Sequence, residues 1–151
     1  MSDLPPASGP GTPFVSDYLL YLLAAASHRA SGQFHEQVRA AGLKVAEWRV
    51  LACLTEEDGQ MITRLAKFAL FEQSRLTRIT EKMEDKGLVR RGPDDRDGRR
   101  VRVFLTQDGR AIAERLVAQA RVHEAALLDG VAGPELKQAL KGLIAYLDGT
   151  T

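Results

Sequence analysis

A change of hydrophobic period in the middle of the chain limits the folds open to it. Residues 73–86 carry apolar side chains at helical spacing, and the two short runs after them, 88–91 and 100–106, have the residue types of β-strands. Eight residues with two glycines and one proline separate the two runs, which predicts a hairpin with a long loop. The centre of the protein is therefore expected to be a helix that leads directly into a two-stranded hairpin.

A shorter apolar segment precedes this central helix. Thr63 is placed to cap it, and Leu65, Ala66 and Ala69 lie at the spacing of one helix face. A turn at residues 70–73 joins the two helices. Short helix, turn, helix and hairpin, in this order, predict a winged helix-turn-helix, whose second helix enters the major groove with its N-terminal end first.

The distribution of charge agrees with such a module. The net charge is only +1, but residues 60–106 contain twelve Lys and Arg against seven Asp and Glu, so they carry +5 and the remainder of the chain carries −4. A basic segment in an acidic chain is typical of a protein that contacts phosphate with one part only. A solvated charged face is the other reading of the same pattern.

The second helix carries two stripes at helical spacing. Leu76, Ile79 and Met83 form an apolar stripe, and a basic stripe lies one residue earlier along the chain. The polar residues at its N-terminal end can donate hydrogen bonds to base edges or phosphates. The hairpin loop is expected to lie against the DNA backbone or to place an arginine in the minor groove.

Three stretches resemble the multiple antibiotic resistance regulator (MarR) family of bacterial transcription factors: ITRLAKFAL, SRLTRITEKMEDKGLVRR and DDRDGRRVRVFLT. The resemblance extends over residues 16 to about 148. It implies a homodimer held by the first and the last two helices, in which each subunit binds half of a palindromic operator in double-stranded DNA. It further implies that Arg99 enters the minor groove and that Asp97 orients it. Position 75 departs from the family pattern, because this chain has Arg75 where a small hydroxyl residue is common.

The DNA contacts predicted from the pattern and the resemblance together lie on both helices and in the loop of the hairpin: Thr63, Arg64, Gln73, Ser74, Arg75, Thr77, Arg78, Lys82, Arg96, Asp97 and Arg99.

The flanks of this module predict the rest of the architecture, a mainly α fold with a small β-hairpin wing. Residues 1–13 are expected to be a disordered tail, 14–43 and 107–151 a helical dimerisation region, and 44–106 the DNA-binding domain. The first helix is predicted over 16–40 and the second over 44–57, and the chain after the wing is expected to form two more helices. The caps expected for the flanking helices are Ser16 for the first, Thr106 for the fifth and a first-turn Pro134 for the sixth. The apolar runs at both ends exceed what a lone winged helix can cover, which also favours a dimer.

The resemblance also implies an effector, since most members of the family lose DNA affinity when a small anion, often an aromatic acid, binds. Polar residues among apolar ones in the first two helices are the candidates for binding a small aromatic carboxylate or phenol: Ser27, His28, Arg29, His35, Trp48 and Arg49. Trp48 and Arg49 would offer an aromatic wall beside a guanidinium. The alternative hypothesis for each of these residues is that it forms a salt bridge or lies in a subunit interface and does not contact an effector.

Other functions receive less support from the sequence. Cys53 offers a redox-responsive alternative, but no second cysteine exists to resolve an oxidised form. His28 and His35 share a helix face without a third ligand, so no metal site and no cofactor are predicted. No phosphate loop, nucleophile elbow or carboxylate pair indicates an enzyme. No apolar run is long enough to span a membrane and no secretory signal is visible, so a cytoplasmic location is expected. An architectural DNA-binding protein without an effector remains an alternative function.

Overall fold

A computed structural model describes residue 11 and residues 13–150 of the chain. Its contacts divide the chain into two compact units, one that ends at Gln33 and one that begins at Phe34. The predicted tail at residues 1–13 therefore lies almost entirely outside the described residues. None of the helices within the described part is long and apolar enough to cross a membrane.

The described residues form seven helices and three strands, and the predicted mainly α fold with a small β wing is confirmed. In chain order the elements are α1 (Phe14–Asp17), α2 (Leu19–Ala40), α3 (Val45–Glu56), β1 (Gln60–Met61), α4 (Ile62–Ala69), α5 (Gln73–Asp85), β2 (Val89–Pro93), β3 (Val101–Leu105), α6 (Gln107–Leu128) and α7 (Gly133–Gly149).

The start of the first predicted helix was wrong. Ser16 does not cap it but lies inside the one-turn helix α1, and the extended residue Tyr18 (φ −78°, ψ 122°) separates α1 from α2. The ring of Phe14 stacks on that of Tyr18, with 4.8 Å between their centroids, so the break is bridged by an aromatic contact that no helix pattern encodes. The predicted end before Gly42 is correct, since Gly42 adopts a positive φ of 80°.

One hydrophobic core occupies the unit that begins at Phe34. It is built from the end of α2, from α3 to α5, from β2 and β3 and from the first half of α6. On α5, Leu76 and Met83 are fully buried, whereas Arg75, Arg78 and Lys82 are exposed. The two stripes predicted for this helix are therefore a packing face and an exposed cationic face.

The predicted cap of α4 was wrong. Thr63 lies within the helix, which begins at Ile62 directly after β1, and Met61 occupies the N-cap position without a side-chain hydrogen bond. The chain enters α4 from a strand, so no polar capping residue precedes it. The helix ends at Leu70 in the left-handed conformation (φ 60°, ψ 46°), which leucine rarely adopts.

The sheet has the order β1-β3-β2 with antiparallel pairs, so β3 is its central strand. The predicted hairpin is present, but β2 extends to Pro93, opposite Val101. The loop between β2 and β3 therefore spans the seven residues 94–100 instead of the predicted eight. A hydrogen bond directly after Pro93 explains why the strand pairing extends this far. The backbone N–H of Asp94 donates to the carbonyl of Arg100 at 2.9 Å and closes the base of the loop.

The junction between the wing and α6 is tightly packed. As predicted, Thr106 caps α6: its hydroxyl oxygen accepts from the N–H of Gly109 at 3.0 Å, and the hydroxyl donates to the carbonyl of Gly87 at 2.6 Å. A Cβ atom at Gly109 would overlap the carbonyl oxygen of Leu88. Only glycine permits this approach of helix to backbone.

The last helix begins at Gly133 with Pro134 in its first turn, as the sequence predicts. Its apolar stripe is largely exposed, and the large exposed apolar residues of α7 are Leu136, Leu140, Ile144, Tyr146 and Leu147.

Candidate nucleic-acid interface

The N-terminal end of α5 presents the predicted DNA-reading residues to solvent. Gln73, Ser74 and Arg75 occupy its first turn and are exposed. The hydroxyl of Thr77 donates to the carbonyl of Gln73 at 3.0 Å, so its proton is already used within the helix and its oxygen can still accept a hydrogen bond. Arg78 continues the same exposed face. This end of α5 can therefore offer both donors and acceptors to base edges.

The wing loop is shaped from within by the buried carboxylate of Asp94. It accepts the backbone N–H groups of Arg96 at 3.3 Å and Asp97 at 3.1 Å, and it pairs with the guanidinium of Arg102. Arg102 also donates to the carbonyl of Gly59 at 2.7 Å, which ties the loop to the chain before β1. The hydrogen bond from Arg102 lowers the pKa of Asp94 below its ordinary value. Neither residue was among the predicted site residues.

Asp97 contacts Arg99 differently from the prediction. Its carboxylate accepts the backbone N–H of Arg99 at 3.1 Å, and its ion pair, at 3.5 Å, is with the guanidinium of Arg100. Asp97 thus fixes the main chain of the turn and not the Arg99 side chain. Within the described residues no carboxylate pairs with the Arg99 guanidinium, which leaves that charge available.

Helix and wing meet at one groove of about 450 Å³. Four predicted DNA contacts line it, from the start of α4, from α5 and from the wing, and the groove therefore joins the two parts of the winged helix on one surface. Arg91 and Arg100 also line it and were not among the predicted contacts. The full lining is Met61, Ile62, Thr63, Gln73, Thr77, Arg91, Arg99, Arg100 and Val101.

Arg91 was missed although its side chain points to this groove. Its guanidinium approaches Glu81 at 3.5 Å, and its Nε atom is buried without a hydrogen-bond partner among the described residues. Its backbone N–H donates to the carboxylate of Glu84 at 2.7 Å, which joins β2 to α5. The only available signal was its position next to the arginine-rich loop.

A second basic surface lies on the other side of α5. Arg75, Arg78 and Lys82 line a cleft of about 240 Å³ together with Lys44, which sequence reasoning did not select. The acidic residue of this cleft, Glu47, is buried and already forms an ion pair of 2.7 Å with Lys86. The four cations that line the cleft are therefore not neutralised by it.

The predicted contact Arg64 is engaged elsewhere. Its guanidinium forms an exposed ion pair with Glu57 at 2.7 Å. Exposed pairs of this kind contribute about 0–1 kcal/mol, so DNA phosphate could displace Glu57 at little cost. Lys82 and Arg96 are exposed and form no ion pair with any residue that the structure describes, so their charges are more accessible than that of Arg64.

The candidate effector residues do not form the predicted pair. Trp48 packs edge-on against Phe34 with 5.2 Å between ring centroids, whereas the guanidinium of Arg49 lies 5.0 Å from the ring of Phe71. Adjacent residues of a helix point about 100° apart, which explains why the two side chains have different neighbours. Phe34 also contacts His123 at 5.8 Å, a residue that the sequence pattern did not suggest.

The remaining candidates are placed as follows. Ser27, His28 and Arg29 are exposed on α2, in the unit that ends at Gln33. The carbonyl of His28 accepts from the hydroxyl of Ser31 at 3.4 Å. His35 is half-buried in the other unit. Among the described residues, no three His, Cys, Asp or Glu side chains are grouped so that they could hold a metal ion.

Cys53 is poorly suited to redox sensing. Burial, reinforced by the negative charge of Glu56, raises the pKa of its thiol to about 11. The reactive form of cysteine is the thiolate, which is scarce at neutral pH when the pKa is this high. A redox-responsive function through this residue is therefore disfavoured.

The basic recognition helix and the arginine-bearing wing, open on one surface, define a winged helix-turn-helix DNA-binding protein. The sequence profile of the MarR family matches residues 43–101. The solved MarR family transcriptional regulator SPO1453 from Silicibacter pomeroyi is 55% identical, with a TM-score of 0.82 over 90% of this chain and 99% of that one. The chain belongs to the MarR family of transcriptional regulators.

Two curated relatives add to this comparison. The homoprotocatechuate degradative operon repressor of Escherichia coli is 32% identical over 109 residues, which is 72% of each chain. The HTH-type transcriptional repressor IacR of Pseudomonas putida is 31% identical over 100 residues. The match with IacR covers 66% of this chain and 60% of the length of that relative.

Proposed function

We propose that this protein is a homodimeric repressor that binds a palindromic operator and leaves it when a small aromatic acid binds. The observation that carries the proposal is the groove in which Gln73 and Thr77 of α5 lie beside Arg99 of the wing. A reading helix and a wing arginine on one surface can contact a major groove and the adjacent minor groove together. The relatives whose names describe repressors support the direction of regulation.

The exposed apolar residues support the homodimer. An exposed apolar stripe on a helix commonly marks an interface with another chain. Two identical subunits would supply two recognition helices, which fits a palindromic site. Besides the stripe of α7, the apolar side chains exposed at the start of the described chain are Phe14, Val15, Tyr18, Leu19, Leu20, Tyr21 and Leu22.

An aromatic cluster supports the effector class. Phe34 is buried between Trp48 and His123, both of which are only half-buried, so an aromatic ring can add to their exposed edges. The name of the homoprotocatechuate degradative operon repressor associates that relative with the degradation of an aromatic compound. We assign Trp48 and His123 to the effector, together with the predicted candidate His35, which follows Phe34 in the chain. Ser27, His28 and Arg29 stay predictions.

The DNA-binding part is tested with a duplex selected by the protein from random DNA. Fluorescence anisotropy measures the affinity of the wild type, of Arg99→Ala and of Arg115→Ala, the last an exposed arginine on α6 that lines no part of the groove. We expect Arg99→Ala to bind about tenfold or more weakly, since one specific contact contributes about 1–3 kcal/mol, and Arg115→Ala to bind as the wild type does. Equal affinities for all three proteins would contradict the assignment of the wing.

The effector part has a direct readout because Trp48 is the only tryptophan in the chain. Titration with aromatic acids, homoprotocatechuate among them, should change its fluorescence over the same concentrations that release the duplex. Trp48→Leu should keep its affinity for DNA and lose release by the acid. A panel in which no aromatic acid releases the duplex would refute this part of the proposal and leave operator binding intact.

A further inference from the structure

One phenylalanine ring holds two arginines from different helices. Phe71 lies in the turn between α4 and α5, and its ring centroid is 5.0 Å from the guanidinium carbon of Arg49 and 4.9 Å from that of Arg75. Arg49 comes from α3 and Arg75 from the first turn of α5. Phe71 is half-buried against the core, so its ring is held in place while both guanidiniums reach the surface.

Neither guanidinium has a carboxylate partner within the described part of the chain, unlike those of Arg64, Arg102 and Arg110, which form ion pairs of 2.8 Å or less. Arg49 donates only a long hydrogen bond of 3.4 Å to the carbonyl of Ala69. Glu72, the next residue after Phe71, makes no capping hydrogen bond to α5. The guanidiniums of Arg49 and Arg75 therefore lie at the ring of Phe71 without forming an ion pair with a described carboxylate.

The contacts with Phe71 fix the positions of these two charges but leave them available. A cation–π contact at an exposed site contributes about 0.5–1 kcal/mol, and it leaves the N–H groups at the edge of a guanidinium free to donate. Two like charges near one ring repel each other, and an anion that lies close to both offsets this repulsion. A phosphate has several oxygens and can accept hydrogen bonds from two guanidiniums at once.

We propose that Arg49 and Arg75 together bind one phosphate of the DNA backbone, and that Phe71 sets their spacing. The proposal rests on the proposed operator binding and adds α3 to the interface, outside both the helix-turn-helix and the wing. It assigns Arg75 to the backbone instead of to a base edge. Arg49, predicted from the sequence as an effector residue, then acts on DNA.

The salt dependence of binding tests this assignment, because the logarithm of the affinity falls with the logarithm of the salt concentration by about 0.9 for each phosphate neutralised. We expect Arg49→Ala to weaken binding to the selected duplex and to an unrelated duplex by similar factors, about tenfold for a charged hydrogen bond. The double variant Arg49→Ala/Arg75→Ala should lower the salt slope by about 0.9 in total. Arg115→Ala is the control and should leave affinity and slope unchanged.

Phe71→Leu tests the spacing role, since leucine keeps the apolar contact with the core and removes the aromatic face. We expect it to reduce affinity for both duplexes in a protein whose thermal unfolding confirms that it is folded. If Phe71→Leu does not fold, the two arginine variants alone decide the question.

Three results would overturn the inference while the proposed function stands, since wild-type protein would still bind its duplex and Arg99→Ala would still weaken it. The first is an Arg49→Ala protein whose DNA affinity and salt slope equal those of the wild type. The second is an altered base preference for Arg75→Ala. The third is an Arg49→Ala protein that changes only the release by an aromatic acid. Wild-type protein with no preferred duplex would instead remove the proposed function itself.

Discussion

The carboxylate of Asp94 is the residue-level feature on which the shape of the wing depends. It accepts two backbone N–H groups of the loop and pairs with Arg102, which in turn reaches the carbonyl of Gly59. Asp95, its neighbour, is exposed. The sequence alone does not distinguish these two adjacent aspartates. Only the fold of the loop shows that the carboxylate of Asp94 is the buried one.

Asp94→Asn should destabilise the wing, with Asp95→Asn as the matched control. Because the pKa of Asp94 is lowered from 3.8 in the folded protein, its charge stabilises the fold above that pH, and this contribution is lost as the pH falls through the folded pKa. Urea unfolding should therefore give a constant difference between wild type and Asp94→Asn near neutral pH, and the difference should close below about pH 4. A difference independent of pH would show that the charge of Asp94 does not matter.

The exposure of the basic residues of α5 was predictable from the sequence, but the pairing of charges in the wing was not. The spacing of Arg75 and Arg78 along a helix placed them outside the core, and the structure confirms that they are exposed. The partner of Asp97 was assigned as the Arg99 side chain, whereas the ion pair is with Arg100. Pairing within a loop depends on backbone angles that no periodic pattern records.

At the scale of elements, local patterns predicted the long helices and the hairpin, and non-local contacts decided what was missed. Strand β1 has two residues and exists because it pairs with β3, from Gln60 to Val103 and from Met61 to Arg102. Its presence moved the start of α4 to Ile62. A two-residue strand leaves no alternation to detect.

The close approach of α6 to Leu88 makes a second prediction. Gly109→Ala should lower the free energy of unfolding by about 1–3 kcal/mol, because its Cβ would collide with backbone and the helix would have to shift. Gly142→Ala on α7 is the control, since nothing lies within 4 Å of its Cβ position and it lies away from the apolar stripe. The Gly142→Ala change should raise the free energy of unfolding by up to about 1 kcal/mol. Urea unfolding measures both, and equal effects would contradict the close packing.

At the scale of the whole molecule, the sequence indicated an interface through excess apolar surface. Leu140 and Ile144 leave 36% and 58% of their surface exposed, so neither side chain stabilises the fold of one chain by much. Burial against a second chain is what the proposed dimer would supply. Which residues face each other across it is a property of two chains, and one sequence carries no pattern for it.

Ile144→Glu should therefore shift the protein from dimer to monomer without unfolding it. Gln138→Glu adds the same charge to the polar face of the same helix and should leave the dimer intact. Light scattering coupled to gel filtration distinguishes twice the 16.6 kDa chain mass from the single mass. The monomeric variant should also lose operator affinity, because it presents one recognition helix instead of two. An Ile144→Glu protein that stays dimeric would place the interface elsewhere.

If the proposed effector binds at the aromatic cluster, helix α6 would act as a lever arm. Its first turn abuts Leu88, the residue just before β2, and further along it carries His123 of the aromatic cluster. Gly109 and His123 are about 21 Å apart along the helix axis at 1.5 Å per residue. A tilt of about 5° around the His123 end would therefore displace the Leu88 end by about 2 Å. Because Gly109 leaves no gap at Leu88, such a displacement would pass to the wing instead of being absorbed.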